Sequence, residues 1–216
     1  TMSKDLSNYR KSYEKQELLE SNCPKNPMDL FKTWFRNADD SKTVEETNAM
    51  SISTIGKDGF PKNRIVLLKK FTSEGFIFYT NYSSEKGLAI AENNNICLSF
   101  FWPGLEQQII IKGKAEKQIE NLSDGYFESR PDGSKLGAWA SNQSTVVSSR
   151  EALEDSLTSF ISAFHGKEIT RPKHWGGYLV KPISIEFWQG RPNRLHDRIR
   201  YLLEDDFSWK IERLAP

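Results

Sequence analysis

The stretch ICLSFFW (96–102), followed by Pro103-Gly104 and then QQIIIKGKAEK (107–117), reads as two β-strands joined by a tight turn. Its apolar runs are short and rich in β-branched and aromatic residues, and Pro-Gly punctuates them. The same rhythm continues outward in both directions. On the N-terminal side AMSISTI (49–55) alternates in part, Lys57-Asp58-Gly59 marks a turn, and RIVLLKK (64–70) is a second apolar run. Ser73-Glu74-Gly75 turns the chain again into FIFYTNY (76–82). On the C-terminal side GGYLVKP, ISIEFWQG, RIRYLLE and FSWKIERL read as strands, with Asp205-Asp206 as a turn. About eight strands at hairpin spacing, with helices at the ends and between them, predict a mainly β (α+β) antiparallel barrel or sandwich.

Helices fit around this frame. Asn26 is placed to cap, Pro27 takes the first helical position, and Leu30, Phe31, Trp34 and Phe35 make one apolar face. A short helix is predicted from Ser83 or Ser84 to Asn93, and others over about 121–130 and 150–165. The last carries Leu153, Leu157, Phe160, Ile161 and Phe164 on a single stripe. Residues 1–20 are sparse in apolar positions and read as a polar helix or a mobile arm; residues 21–216 read as a single domain. Repeats, low-complexity tracts and Pro/Gly/Ser-rich linkers are absent from the sequence.

Composition narrows the function classes. The 216 residues carry 30 Lys+Arg against 29 Asp+Glu, a formal charge of +1, which argues against a dedicated nucleic-acid binder. With 37% hydrophobic and 12% aromatic residues the chain can build a packed core, so disorder is not expected. No apolar run approaches the roughly 18 to 20 residues of a membrane span. The N-terminal TMSKDLSNYRKSYEKQ is polar and has no apolar signal segment, so secretion is not expected, and Thr1 ahead of Met2 reads as a cloning remnant. Cys23 and Cys97 are too few for a disulfide framework or a common zinc site. A reducing, cytoplasmic setting is the expectation.

Three stretches could carry chemistry. Arg191-Pro-Asn-Arg194-Leu-His196-Asp197-Arg198-Ile-Arg200 places four arginines and a histidine with one acid, directly after Phe187-Trp188. Such a cluster repels itself unless it meets anions; the bland alternative is a solvated basic edge with a salt bridge to Asp197. A strand starting at Arg198 would put Arg198, Arg200 and Leu202 on one face. In RIVLLK (64–69) a regular strand would point Arg64 and Lys69 to opposite faces, serving different anions, unless a bulge brought them together. In Tyr126-x-x-x-Arg130-Pro131-x-x-Ser134 the first two side chains stack one helical turn apart, Pro131 ends the helix, and Ser134 falls in the loop beyond. Hydroxyls and a guanidinium suit a phosphate dianion, although an ordinary helix end gives the same pattern. His165, His174 and His196 lack ligand-like spacing, so no metal is expected. Nucleotide loops of the GxGxxG and GxxxxGK[ST] types are absent, as is a GxSxG nucleophile elbow.

In order along the chain, NPMDLF, RIVLLK, FYTN, EKG, YFESRP, QS, WGGY, IEFWQG, RLHDR and ERLAP together resemble the pyridoxine 5′-phosphate oxidases, from about Tyr9 to Pro216. The resemblance implies a split antiparallel Greek-key barrel with peripheral helices, a homodimer, and FMN held at the subunit interface. It implies oxidation of pyridoxine or pyridoxamine 5′-phosphate to pyridoxal 5′-phosphate, with molecular oxygen as acceptor and hydrogen peroxide released.

Position by position, it implies flavin contacts from Arg64, Ile65, Val66, Leu67, Leu68, Lys69, Tyr79, Thr80, Lys86, Gln108, Gln143, Ser144, Trp188 and Arg198. It implies that Lys69, Tyr126, Arg130 and Ser134 meet the substrate phosphate, and that Arg194 and His196 lie over the substrate ring as catalytic residues. Arg10 and Tyr13, in an arm able to close over the site, complete the substrate set. The chain departs from the family pattern at Glu85, where an arginine usually precedes the lysine of EKG, and in the arm at Lys11 and Ser12. The competing readings are a split-barrel flavin- or haem-binding protein without oxidase turnover, and a nicotinamide-dependent flavin reductase. The first would not need Arg194 and His196, and the second would not need the Tyr126/Arg130/Ser134 set.

Overall fold

A computed structural model describes residues 3–216; the cloning remnant expected at Thr1 lies outside the described residues. Nine strands are joined antiparallel in the order β2-β1-β5-β6-β7-β4-β3, with β8 added to β7 and β9 to β8. They are β1 (Ala49–Ile55), β2 (Pro61–Leu67), β3 (Lys70–Thr72), β4 (Gly75–Asn81), β5 (Asn95–Trp102), β6 (Gln107–Lys117), β7 (Trp175–Gln189), β8 (Asp197–Leu203) and β9 (Trp209–Arg213). The expected hairpin at 96–117 is β5 and β6, turned by a 3-10 helix at Pro103–Leu105. The two strands expected at GGYLVKP and ISIEFWQG are one. Residues 175–180 of β7 pair with β4 and residues 184–189 with β8. Pro182, which has no N–H to donate, sits where the partner changes.

The chain divides into two compact units, the first Thr1–Thr47, Ser99–Ile111 and Ile183–Pro216, the second Asn48–Leu98 and Lys112–Pro182. In the first, α1 (Pro27–Ser41) starts as its sequence demands: the Asn26 side chain accepts from Met28 N–H and Pro27 needs no partner. Its apolar face meets the strands edge-on, Phe31 5.4 Å from Phe100 and Trp34 5.2 Å from Phe187 between ring centroids. Leu30, Phe31, Trp34 and Ala38 are buried. Residues 3–19 contain no α-helix; that part of the arm is irregular up to a 3-10 turn at Glu20–Asn22.

In the second unit β1 and β2 form a hairpin whose register sets Ile52 opposite Arg64. Alternate residues of β1, Met50, Ile52 and Thr54, are buried. Helix α2 (Glu85–Glu92) is capped by Ser84, whose hydroxyl accepts from Gly87 N–H. Gly87 lets the helix lie against the Tyr82 backbone, where a Cβ would stand 2.2 Å from the Tyr82 carbonyl oxygen.

Helix α3 (Glu120–Glu128) ends before Pro131 as expected, but a second helix, α4 (Asp132–Ala140), begins at once. Ser134, expected in a loop, therefore lies in the first turn of α4, its N–H bonded to the Pro131 carbonyl. Two glycines weaken the helical signal of DGSKLGAWA. Tertiary contact restores it, as Trp139 packs 5.8 Å from Phe160 and 5.4 Å from Phe164 at the end of α5 (Arg150–Ala163). The apolar stripe of α5 is half-buried, and Ile161 is exposed.

Candidate active site

A cavity of about 490 Å³ opens in the second unit between β2, β4, α2 and the stretch Tyr126–Ser144. Its lining includes Arg64, Ile65, Val66, Leu67, Lys69, Tyr79, Thr80, Lys86, Tyr126, Arg130, Gln143 and Ser144, twelve of the residues singled out above. Leu68 is instead buried in the core. Arg64 and Lys69 line the same cavity, contrary to the regular-strand expectation. The reason is a change of partner: Leu68 N–H bonds to Asn48 O beside β1, while Lys69 N–H bonds to Ile77 O on β4. β2 has ended by then, so the alternation does not carry through to Lys69.

The cavity is cationic. Lys62, Arg64, Lys69, Lys86 and Arg130 face one carboxylate, Glu85. Arg64 is oriented by bonds from Nη1 to Thr54 Oγ1 (2.8 Å) and the Lys62 carbonyl (2.9 Å). Lys86, in the first turn of α2, is 6% exposed and donates to Thr80 Oγ1 at 3.1 Å. Burial, with Arg64 nearby, pulls its ammonium down to about 8. Thr80 passes the chain of bonds to Gln143 Oε1 at 3.3 Å, which holds the Gln143 side chain in the cavity wall. Glu85 pairs with Lys62 across the α2–β2 gap. Lys62 was not singled out from sequence, although it lies two residues before Arg64 and so on the same strand face.

The second end of the cavity is aromatic. Tyr79 stacks on Tyr126 at 3.8 Å and on Trp175 at 5.5 Å. The Arg130 guanidinium lies 4.5 Å over the Trp175 ring, yet its buried Nη1 has no hydrogen-bond partner. Burial lowers its pKa. Arg130 and Gln143 also line an adjoining cavity of about 310 Å³, where Ser134 meets them. Arg130 thus meets Tyr126 in one cavity and Ser134, which comes from a helix, in the other.

A separate cavity of about 560 Å³ belongs to the first unit and is lined by Tyr9–Tyr13, Arg191, Asn193, Arg194 and His196. Arg10, Tyr13, Arg194 and His196 come together here. His196 accepts from Arg191 N–H at Nδ1 (3.0 Å), which leaves Nε2 to carry the proton of the neutral ring. Burial and the Arg194 charge lower its pKa below the usual histidine value. Asn193 and Arg194 both have left-handed backbones, φ 56° and 63°.

The basic cluster around them is mostly neutralised. Arg191 and Arg213 each reach Asp197 at 2.8 Å, Arg198 forks onto Glu186, and Arg200 reaches Glu212. Against burial, which pushes it up, bonds from Leu18 N–H, Arg191 and Arg213 hold the Asp197 carboxyl below the ordinary range. Arg194 has no acidic partner among the described residues. Gln108 on β6, Trp188 on β7 and Arg198 on β8 line none of these cavities; Trp188 packs against His196 at 4.7 Å. Among the described residues no group of three or more His, Cys, Asp and Glu is placed to hold a metal, and no helix is long and apolar enough to cross a membrane.

Residues 40–161 match the family model described as pyridoxamine 5′-phosphate oxidase. The chain belongs to the pyridoxamine 5′-phosphate oxidase family. Residues 175–216 match a second model, the pyridoxine 5′-phosphate oxidase C-terminal dimerisation region. A pyridoxine/pyridoxamine 5′-phosphate oxidase from Flavobacterium psychrophilum is 70% identical over 99% of this chain and 100% of its own. One from Flavobacterium johnsoniae is 64% identical over 98% and 99%. PhzG from Burkholderia lata, solved with tetrahydrophenazine-1-carboxylic acid, superposes with a TM-score of 0.84 at 30% identity, covering 92% of this chain and 98% of its own. An FMN-binding protein from Nostoc punctiforme, 15% identical, superposes with a TM-score of 0.69 over 90% of this chain and 100% of its own. The fold of this family member is the split antiparallel barrel that the resemblance implied.

Proposed function

We propose that this chain oxidises pyridoxine or pyridoxamine 5′-phosphate to pyridoxal 5′-phosphate with FMN and molecular oxygen, releasing hydrogen peroxide, as a cytoplasmic homodimer with FMN at the subunit interface. The observation that carries the reading is the first cavity, where five cations meet one carboxylate and a buried guanidinium nitrogen lacks a partner. Its volume falls within the roughly 300 to 1,000 Å³ typical of small-molecule sites. An anionic ligand with an aromatic body would neutralise the charge and use the Tyr79, Tyr126 and Trp175 faces. FMN and a pyridoxine phosphate both have that chemistry. The names of the relatives, identical at 64% and 70%, point the same way.

In this reading Arg64 and Lys86 hold the flavin phosphate, and Ile65, Val66, Leu67, Tyr79, Thr80, Gln143 and Ser144 line the rest. Lys69, Tyr126, Arg130 and Ser134 hold the substrate phosphate, so that binding energy remote from the reacting carbon orients it. FMN, once bound, supplies the hydride acceptor and the route to oxygen. Arg194 offers an unpaired positive charge for developing negative charge on the substrate oxygen. His196, neutral and protonated at Nε2, is set to donate to the substrate or to pass on its proton. Trp188, Arg194, His196 and Arg198 all lie within the stretch matching the dimerisation region, which supports a site completed in a homodimer. Gln108 and Leu68 keep their flavin assignment on resemblance alone.

The test is direct. The purified protein should be yellow, dimeric by light scattering, and bind one FMN per chain. Mixed with FMN and pyridoxine 5′-phosphate in air, it should generate aldehyde absorbance and peroxide in equal amounts. A protein that takes up no FMN, or takes it up and leaves the substrate untouched, refutes the proposal.

A further inference from the structure

Glu106 follows the 3-10 turn between β5 and β6 in a left-handed conformation, φ 56° and ψ 41°. Glycine, asparagine and aspartate are the usual occupants of that region. A glutamate there, with its side chain only 2% exposed, points to a use for the carboxylate. Oε2 accepts from the backbone N–H groups of Glu14 (2.9 Å) and Lys15 (3.1 Å), and Oε1 lies 3.7 Å from Lys11 Nζ. The Glu106 carbonyl meanwhile accepts from Gly190 N–H at 2.7 Å and from Gln189 Nε2 at 3.2 Å. One residue therefore grips both the N-terminal arm and the end of β7.

The consequence falls on Tyr13. Residues 9–16 form neither helix nor strand, so no regular backbone hydrogen-bond ladder fixes Tyr13. The Tyr13 ring is nevertheless edge-on to Trp188 at 5.9 Å and 5.8 Å from His196. Gly190 makes room for it, since a Cβ there would come within 2.8 Å of Tyr13 Cβ and 3.1 Å of Glu106 Cβ. Two charge-assisted bonds to consecutive N–H groups right after Tyr13 set where the ring can go.

We propose that Glu106 is a positioning residue, clamping the arm through Glu14 and Lys15 so that Tyr13 is held against His196 and Trp188. It acts on the substrate through the arm and touches none itself. This rests on the reading of Arg10, Tyr13, Arg194 and His196 as substrate contacts.

Glu106→Gly suits the backbone and removes only the clamp; Glu106→Asn also tolerates the left-handed region but is too short to reach the arm, and serves if the glycine variant folds poorly. In the holoenzyme either variant should raise KM for pyridoxine 5′-phosphate roughly tenfold or more, the lower bound for losing a hydrogen bond to a charged group, with kcat falling less. Flavin content should stay unchanged, and trypsin should cut faster after Lys11 and Lys15. In a Tyr13→Ala background the same substitution should add little to KM, because both act through one ring. An unchanged KM overturns the proposal, even where trypsin cuts faster, and so does full additivity with Tyr13→Ala. Failure of the underlying reading shows separately, as an Arg194→Ala variant whose kcat/KM equals that of the parent.

Discussion

Lys86 is buried and Arg130 half-buried, and neither forms an ion pair with a carboxylate among the described residues. Arg130 Nη1 is buried and unbonded, and burial alone lowers the pKa of the group. Leaving that buried donor unbonded costs folding free energy, and in the proposed reading the substrate phosphate is the group that bonds it. Arg130→Ala should therefore leave the melting temperature of the flavin-loaded protein unchanged or slightly higher, with normal flavin content. KM for the phosphorylated substrate should rise roughly 10- to 150-fold, the equivalent of the 1.5 to 3 kcal/mol that hydrogen bonds to charged groups contribute. An unchanged KM would remove Arg130 from the substrate set. Lys86 adds a pH dependence whose two parts have opposite sign. In the folded chain burial and Arg64 bring its ammonium down to about 8, against 10.5 in the unfolded chain. Between those values the unfolded chain holds more protons, so the contribution of this group to stability rises with pH through the window. If Lys86 holds the flavin phosphate as proposed, binding goes the other way, since the anion needs the ammonium form. FMN affinity should fall by up to roughly tenfold between pH 7 and 9, as the amine becomes neutral. Titrating apo-protein with FMN at both pH values, with Lys86→Met as the control that flattens the response, checks this.

At the scale of elements, the candidate site joins residues inside strands and helices, such as Arg64, Thr80, Lys86 and Tyr126, to residues between elements, such as Lys69, Arg130 and Gln143, and that mixture decides how much of it was legible. The caps of α1 and α2 are written in Asn26-Pro27 and Ser84, and both helices form where those residues put them. The β5–β6 hairpin follows equally from its apolar runs. Helix α4 was illegible because Gly133 and Gly137 lower its propensity and Trp139 repairs it through contacts with residues more than twenty positions away. Arg64 and Lys69 share a cavity because the chain changes partner between Leu68 and Lys69, a tertiary event that strand periodicity cannot register. The cofactor, dimer and substrate came from motif resemblance; spacing alone left each cationic stretch with an ordinary alternative. For the basic cluster that alternative is partly right, since Asp197, Glu186 and Glu212 neutralise most of it. The difference between elements then separates two arginines. Arg198, on β8, is forked onto Glu186 and donates to the Ala215 carbonyl. Arg194, in the 3-10 turn at Pro192–Arg194, is exposed with no acidic partner among the described residues. Arg194→Ala should lower kcat/KM with FMN retained and the melting temperature unchanged. Arg198→Ala should weaken FMN retention and also lower the melting temperature, because it strands the half-buried Glu186. The reverse pattern in flavin content and turnover would mean that the two roles are exchanged.

At the scale of the whole molecule, a formal charge of +1 offers little long-range attraction for an anionic cofactor. In the proposed reading recognition comes from local imbalance, which the first cavity offers with five cations against Glu85. By the resemblance, Glu85 stands where the family pattern has an arginine, and two effects act on it with opposite sign. In the first turn of α2 a carboxylate stabilises the helix dipole by about 0.3 to 1 kcal/mol. The same helix end is where a phosphate is best placed, and a carboxylate there repels it. The structure shows how the chain lives with this. Glu85 is half exposed and paired with Lys62, so the carboxylate is partly neutralised by a cation that lines the same cavity. Glu85→Arg should therefore split the two effects. Helix and protein stability should drop slightly, by the dipole contribution and the lost pair, while FMN affinity rises. The gain should be roughly 2- to 5-fold, from the few tenths to 1 kcal/mol that exposed charge pairs contribute, and larger at 20 mM than at 500 mM salt. Titrating apo-protein with FMN at the two ionic strengths, beside a thermal melt, measures both. Equal affinities for the variant and the parent at both salt concentrations would place residue 85 beyond electrostatic reach of the phosphate, and would leave Arg64 and Lys86 to hold it without regard to what stands before them.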